Sequence, residues 1–302
     1  MDLIICSTPF HILLSEEIIR SNPNRDYLCL IFVHTKNDKI KYYIHRLKQL
    51  SNQVRTMDVS SNLKWLMTIF YLRLFSNLGC FNKVYLASVD NILVHSILTK
   101  IEFISLFTFD DGTINLLYDG RYYEDDYVLS ERVFRKVLNI SYDAQRIRSL
   151  SKKHYTIYDA PNIIENTEMI QLVHEKESKA QSGTSVSILL GQPLYAEDKQ
   201  SQILFDNIVN KLQPDFYLPH PRETFEVEGV DYVHTNYVLE DYIVHLRNQF
   251  ETVKLYTVSS SAILNVMQLS GIEVYGIKVD DFENHQDILR RFDVPIIDLE
   301  ME

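Results

Sequence analysis

Two short polar clusters, Phe109-Asp110-Asp111-Gly112-Thr113 and Pro219-His220-Pro221-Arg222, carry the residue types of acid–base chemistry. Each follows an apolar run with the pattern of a buried strand. Each is therefore predicted at a strand's carboxyl end, where open α/β sheets place their ligands. Asp110 and Asp111 are adjacent, so on an extended chain their carboxylates point to opposite faces and cannot readily chelate one ion together. Gly112 lets the chain turn away at once and leaves one carboxylate facing a cleft. A neighbouring negative charge and partial burial both raise a carboxyl pKa, which suits a general base. The plainer reading is a loop in which Asp111 caps the next segment and Asp110 is solvated. His220 lies between two prolines that fix the backbone on either side, as a positioned acid or phosphate ligand requires. An ordinary loop histidine bonded to a carbonyl explains the same residues.

Further along, Ser259-Ser260-Ser261 follows a strand over 253–258 and opens a helical pattern through Ile263, Leu264 and Met267. That places hydroxyls and backbone N–H groups at a helix N-terminus, either as an anion site or as an N-cap. Glu240, after Val238-Leu239, is either a first-turn acid favoured by the helix dipole or an acceptor for ribose hydroxyls. No Walker A sequence, Gly-x-Gly-x-x-Gly, Asp-x-Asp or Cys/His metal spacing is present in the chain, so a metal-free mechanism is favoured.

The elements that position these residues alternate. Strand patterns at 3–6, 27–33, 84–87 and 103–109 are separated by helical ones, and the turn Ser7-Thr8-Pro9 leads into the first helix. A polar stretch from about 149 to 184, ending in Lys179-Ala180-Gln181-Ser182-Gly183, is the best linker. Alternation then resumes with a strand over 186–190, the turn Gly191-Gln192-Pro193, a helix over 197–212 and strands at 216–218, 232–234, 253–258 and 274–277. Such alternation predicts two open α/β domains facing one cleft. The boundaries are 1–155 for an N-terminal domain carrying the Asp-Asp-Gly cluster, 156–184 for the linker, 185–280 for a second domain carrying the His-Pro and serine clusters, and 281–302 for a C-terminal segment packing back on the first domain.

The chain has 302 residues, 46% hydrophobic and 24% charged, with a net charge of −11. This is a globular balance with room for two cores, and it excludes nucleic acid as the main partner, since phosphate binding needs a basic footprint. The basic stretch from Arg132 to His154 reads either as a solvated helical face or as a patch meeting an anionic acceptor or membrane surface. Cys6, Cys29 and Cys80 read as inert core thiols of a reducing compartment. The apolar segment 63–78 falls short of the ~20 residues that span a bilayer and reads as a buried helix. With no signal peptide visible, the protein reads as cytoplasmic and soluble.

Taken together, Ser7-Thr8-Pro9-Phe10-His11 after a short strand, Asp110-Asp111-Gly112-Thr113, His220-Pro221, Glu240 before a helix, and Ser259-Ser260-Ser261 resemble the bacterial lipooligosaccharide sialyltransferases, glycosyltransferase family fifty-two. The resemblance implies a GT-B fold of two Rossmann-like domains. It implies inverting transfer of sialic acid from CMP-N-acetylneuraminate to a terminal galactose of a bacterial lipooligosaccharide or capsular glycan, α2,3-linked. It further implies Asp110 as general base, His220 supporting the departing CMP phosphate, the serines and Pro221 on the CMP side, and Glu240 on the ribose. Thr8, Pro9, Asp111, Gly112 and Gln192 complete the candidate set. No cofactor or essential metal is implied beyond the donor, and a homodimer and peripheral attachment to the inner membrane are compatible with the resemblance. The competing readings are a GT-B transferase with another nucleotide-sugar donor and a non-catalytic glycan-assembly protein.

Overall fold

The structure, a computed structural model, describes residues 1–74, 78–117, 122–123, 127–172 and 181–300. The chain divides into two compact units, Met1–Leu172 and Val173–Glu302.

In the first unit, strand and helix alternate as β1 (Asp2–Cys6), α1 (Pro9–Arg20), β2 (Tyr27–Val33), α2 (Asp38–Leu50), β3 (Gln53–Asp58), α3 (Asn62–Leu74), β4 (Cys80–Leu86), α4 (Ile92–Leu98) and β5 (Glu102–Phe109). Then come α5 (Leu129–Val137), α6 (Ala144–Leu150), β6 (Ser151–Thr156) and β7 (Thr167–Met169). The strands form one sheet in the order β3-β2-β1-β4-β5-β6-β7, and every pairing is parallel. Every residue of β1 and β2 is buried, as expected of central strands covered by helices on both faces. Leu3, Ile5, Leu30 and Phe32 pack with Val84, Leu86, Val94 and Ile97 in one core.

The second unit repeats the plan with β8 (Gln181–Leu190), α7 (Asp198–Leu212), β9 (Phe216–Leu218), β10 (Asp231–Tyr232), α8 (Leu239–Arg247), β11 (Phe250–Thr257), β12 (Ile272–Ile277), α9 (Asp287–Arg291) and β13 (Ile296–Ile297). Its sheet order is β10-β9-β8-β11-β12-β13, again all parallel. Both sheets reverse strand order once, between β1 and β4 and between β8 and β11. Open α/β sheets bind ligands at the carboxyl ends beside such a switch.

Several sequence expectations are revised. The span read as a linker, 156–184, holds β7 and the start of β8; its Lys179 and Ala180 lie outside the described residues. Periodicity missed β7 because it is a three-residue edge strand of mixed exposure. It missed β3, also at the edge, because the Arg55 and Thr56 side chains face solvent and break the apolar run. Residues 281–300 contribute α9 and β13 to the second unit, where β13 extends the sheet beside β12. The helix expected to be buried, α3, is buried only at Ile69, Leu72 and Arg73. Cys80 is exposed, unlike Cys6 and Cys29; it begins β4, where Glu102 accepts its thiol proton and pushes the thiol pKa up. Ser261 opens a five-residue 3-10 helix, Ser261–Asn265, rather than a long α-helix.

Candidate active site

At the carboxyl edge of the first sheet, Thr8 caps α1 by accepting from the His11 N–H at 3.1 Å, and Pro9 occupies the first helical turn with its fixed φ. The cap orients His11, which is 1% exposed. Its Nδ1 accepts from the Ser7 N–H at 3.2 Å, so the Nε2 proton is the one left to meet Asp111 Oδ1 at 2.7 Å. Phe109, the last residue of β5, holds the imidazole edge-on.

The two adjacent aspartates do diverge. Asp110 is fully buried. Its Oδ1 meets Asn115 Nδ2 at 2.8 Å and His154 Nε2 at 2.9 Å, and its Oδ2 accepts from the Ile157 N–H at 2.7 Å. Asn162 extends the network by accepting from Asn115 at 2.9 Å, and Thr108 engages His154 Nδ1 at 2.9 Å. This carboxylate joins β5 to β6 and the loops that follow them. It is fully buried and offers no surface to a sugar hydroxyl, which stands against the expectation of Asp110 as the base.

Asp111 is the open carboxylate of the pair, with 24% of its side chain exposed. Besides His11 it accepts from the Ser88 hydroxyl at 2.7 Å and from the Tyr122 hydroxyl. Burial alone would raise its pKa, but the His11 imidazole and the Tyr122 and Ser88 hydroxyls outweigh it and hold the carboxyl well below the usual range. Tyr122 is itself pushed far up by burial and by Asp111, so it stays a donor. Gly112 has φ +64°, the left-handed region, and this turn lets two neighbouring carboxylates serve opposite sides of the chain.

At the carboxyl edge of the second sheet, His220 follows β9. Its Nδ1 accepts from the Arg222 N–H at 3.1 Å, which places the proton of a neutral ring on Nε2. The His220 N–H donates to Glu223 Oε2 at 3.2 Å, and the buried Tyr217 hydroxyl donates to Glu223 Oε1 at 2.9 Å. Desolvation raises the Glu223 pKa against these two donors. Gly191 makes room for the group, because a Cβ there would lie 2.3 Å from both the Tyr217 hydroxyl and Glu223 Oε2.

Gln192 ties the end of β8 to the end of β11. Its Oε1 accepts from the Thr257 hydroxyl at 3.0 Å and from the Ser259 N–H at 2.9 Å. Ser260 caps the 3-10 helix by accepting from the Ala262 N–H at 3.4 Å, while its own N–H donates to Thr257 at 2.9 Å. The serine run is thus a fixed turn whose cap is real. Glu240, in the first turn of α8, is 4% exposed and accepts from Asn265 of the 3-10 helix at 2.5 Å. The structure therefore joins His11, after the Thr8-Pro9 cap, to Asp111 beside Gly112 in the first unit. In the second it joins Gln192 to the Ser259–Ser261 turn and Glu240 to the 3-10 helix, while His220 and Pro221 follow β9 and are held through Glu223 and Arg222. Among the described residues no group of three or more His, Cys, Asp or Glu side chains is placed to hold a metal ion.

A profile of glycosyltransferase family 52 matches residues 25–281. The chain belongs to glycosyltransferase family 52. It is 34% identical, over 99% of both chains, to a CMP-N-acetylneuraminate:beta-galactoside alpha-2,3-sialyltransferase of Pasteurella multocida (strain Pm70). It is 27% identical, over 92% of both chains, to an N-acetyllactosaminide alpha-2,3-sialyltransferase of Haemophilus influenzae (strain ATCC 51907 / DSM 11121 / KW20 / Rd). Among solved structures, TcCGT1 in complex with UDP superposes with a TM-score of 0.55 at 10% identity, covering 99% of this chain and 86% of that one. The glycotransferase of kitacinnamycin gives 0.51 at 11% identity over 100% and 87%. The fold of this family 52 enzyme is GT-B.

Ser88, His154 and Asn162 escaped a residue-by-residue reading because contacts across 23, 44 and 52 positions bring them to the aspartates, and Asn115 and Tyr122, five and eleven positions along, carry no motif of their own. Glu223 was more accessible, three residues after His220, and so was His11, at the capped third position of α1.

Proposed function

We propose that the protein transfers sialic acid from CMP-N-acetylneuraminate to a terminal galactoside, with α2,3 linkage and inversion. The observation that carries this is the full-length match at 34% identity to the Pasteurella multocida enzyme of that name. Charge builds on the CMP phosphate as the glycosidic bond breaks, so donors fixed before the reaction stabilise the transition state more than the ground state. His220, through Nε2–H, and the Ser259 to Ser261 turn, held by Gln192, supply those donors. Glu240, steadied by Asn265, takes the ribose hydroxyls.

The base is Asp111, the carboxylate of the Asp-Asp-Gly motif that reaches solvent. One base and a single displacement suffice for inversion. Its low pKa keeps it ionised, and the His11, Tyr122 and Ser88 donors aim it. Since the donor carries one phosphate, no divalent clamp across a diphosphate is called for, and the acceptor is a lipooligosaccharide or capsular glycan ending in galactose.

The test is CMP release from CMP-N-acetylneuraminate with and without lactose. Lactose should stimulate release in the wild type, and Asp111→Asn should lose the stimulation while CMP still raises the melting temperature. Absence of any CMP-induced stabilisation would overturn the donor assignment.

A further inference from the structure

A cavity opens on the same edge of the first sheet as Asp111. β2 and β3 end side by side at Val33 and Asp58, and the chain beyond them encloses about 620 Å³, lined by His34, Ser60, Ser61, Asn62, Trp65 and Leu66. That is within the usual size of a small-ligand pocket, roughly 300 to 1,000 Å³. Its rim is held in advance. The Val59 N–H donates to the Val33 carbonyl at 3.0 Å, and Asp58 accepts from the Ser60 hydroxyl at 2.7 Å and from Lys64 Nζ at 2.8 Å. The Trp65 N–H donates to the Ser61 carbonyl at 2.9 Å in the first turn of α3. The indole lies against Phe134, with ring centroids 6.4 Å apart and 15° between the planes, and is half-buried.

The sheet order gives the distance to the base. β1 lies beside β2, and α1, which follows β1, carries His11 to Asp111 at 2.7 Å. Neighbouring strands are about 4.8 Å apart, so the pocket stands about 5 to 10 Å from the base along the edge, the reach of one or two sugar rings. Desolvation first, and the nearby His11 imidazole second, lower the His34 pKa, so this ring is neutral at pH 7 and offers one donor and one acceptor. Charge and chemistry select the occupant. Among the described residues that line the pocket none is Asp, Glu, Lys or Arg, whereas the groove over β3 and α3 is lined by Arg55, Asp58 and Lys64. Imidazole, primary amide and hydroxyl groups both donate and accept, as sugar hydroxyls require, and Trp65 adds a large apolar ring with a polar edge. That combination fits an uncharged saccharide, whereas an anionic group would call for cations.

We propose that this pocket is an acceptor subsite for the neutral sugars that precede the terminal galactose, with the Trp65 indole stacking on a sugar ring and His34, Asn62, Ser60 and Ser61 meeting its hydroxyl groups. The inference rests on the reading of this protein as a galactoside-accepting transferase and adds to it a specificity determinant outside the reacting centre. Binding energy from this remote part of the acceptor positions the galactose hydroxyl at Asp111.

The test compares methyl β-galactoside with a neutral, galactose-terminated tetrasaccharide, both as acceptors in the CMP-release assay and as ligands in a fluorescence titration with CMP present. Trp65 is the single tryptophan of the chain, so its emission reports on the pocket without any turnover. The wild type should show a lower KM for the tetrasaccharide, and the tetrasaccharide alone should shift the emission. Trp65→Ala should raise the tetrasaccharide KM about fivefold with kcat unchanged, and leave the KM for methyl β-galactoside as it was. Should removal of the indole from Phe134 unfold the chain, Asn62→Ala, at an exposed position, carries the test, with a rise in the tetrasaccharide KM of about threefold. Equal KM values for the two acceptors in the wild type, or a tetrasaccharide preference that survives both substitutions, would overturn the subsite. So would an emission that the tetrasaccharide leaves unchanged, whether or not transfer occurs. An emission shift without CMP release from any galactoside would instead overturn the transfer reading and leave the pocket a saccharide site.

Discussion

The carboxyl edges of the two sheets use the same topology in opposite ways. In the first unit the titratable groups face one another: His154 holds Asp110, and His11 holds Asp111 together with Ser88 and Tyr122. In the second unit most of the linkages run through backbone N–H groups, as between Glu223 and His220, Gln192 and Ser259, and Ser260 and Thr257. The first arrangement fixes a charge, as a base requires. The second fixes donors in space, which suits an anionic leaving group.

The sharpest way to break this comparison is within the Asp-Asp pair. Asp111→Asn should lower turnover about a thousandfold, within the usual range for a lost general base, and should also lower the melting temperature at neutral pH, where the depressed pKa of Asp111 contributes stability, while the chain still folds. Asp110→Ala should instead cost about 3 kcal/mol of stability, because it strands the His154, Asn115 and Ile157 donors in the interior. Urea unfolding and initial rates on both variants decide between them, and a well-folded but inactive Asp110→Ala would return the base role to Asp110.

A smaller effect is expected at His220. His220→Ala should reduce turnover about 30-fold, the scale of one lost hydrogen bond to a developing charge, while CMP still binds. Loss of CMP binding with unchanged turnover would make this histidine a ground-state ligand only.

The smallest effect is a pH dependence of stability. Desolvation raises the Glu223 pKa in the folded state, so the protonated form is favoured by folding and some stability is lost as pH rises from the ordinary carboxyl value through the raised one. Asp111 has the opposite sign. Its depressed pKa gives stability that is present above the unfolded value, about 3.9, and lost as pH falls towards the folded one. Melting curves of Glu223→Gln against wild type should therefore diverge in the variant's favour as pH rises above about 4.3. Parallel curves would show that Glu223 titrates as an ordinary surface acid.

Much of this was legible in the chain because it depends on local chemistry. Alternating apolar runs specify strands buried on both faces. Thr8-Pro9 is a helix start wherever it occurs, and Gly112 provides a turn that few other residues tolerate. The edge strands β3 and β7 were not legible, because a strand with a solvated face and few partners leaves no apolar run. Nor was the choice between Asp110 and Asp111, which the sequence presents as equals. Adjacent residues on an extended chain must diverge, but which one meets water depends on what lies on each side. That was decided by His154 and Asn162, which a sheet pairing and its following loop bring under Asp110 from more than 40 positions away, and by His11, which α1 brings to Asp111 across 100 positions. The sequence by itself determined the doubly wound plan, the turns and the residue types at the strand ends. Only the tertiary structure decided which of those residues is buried as a support and which is left open to a substrate, because burial is a property of all the neighbours at once.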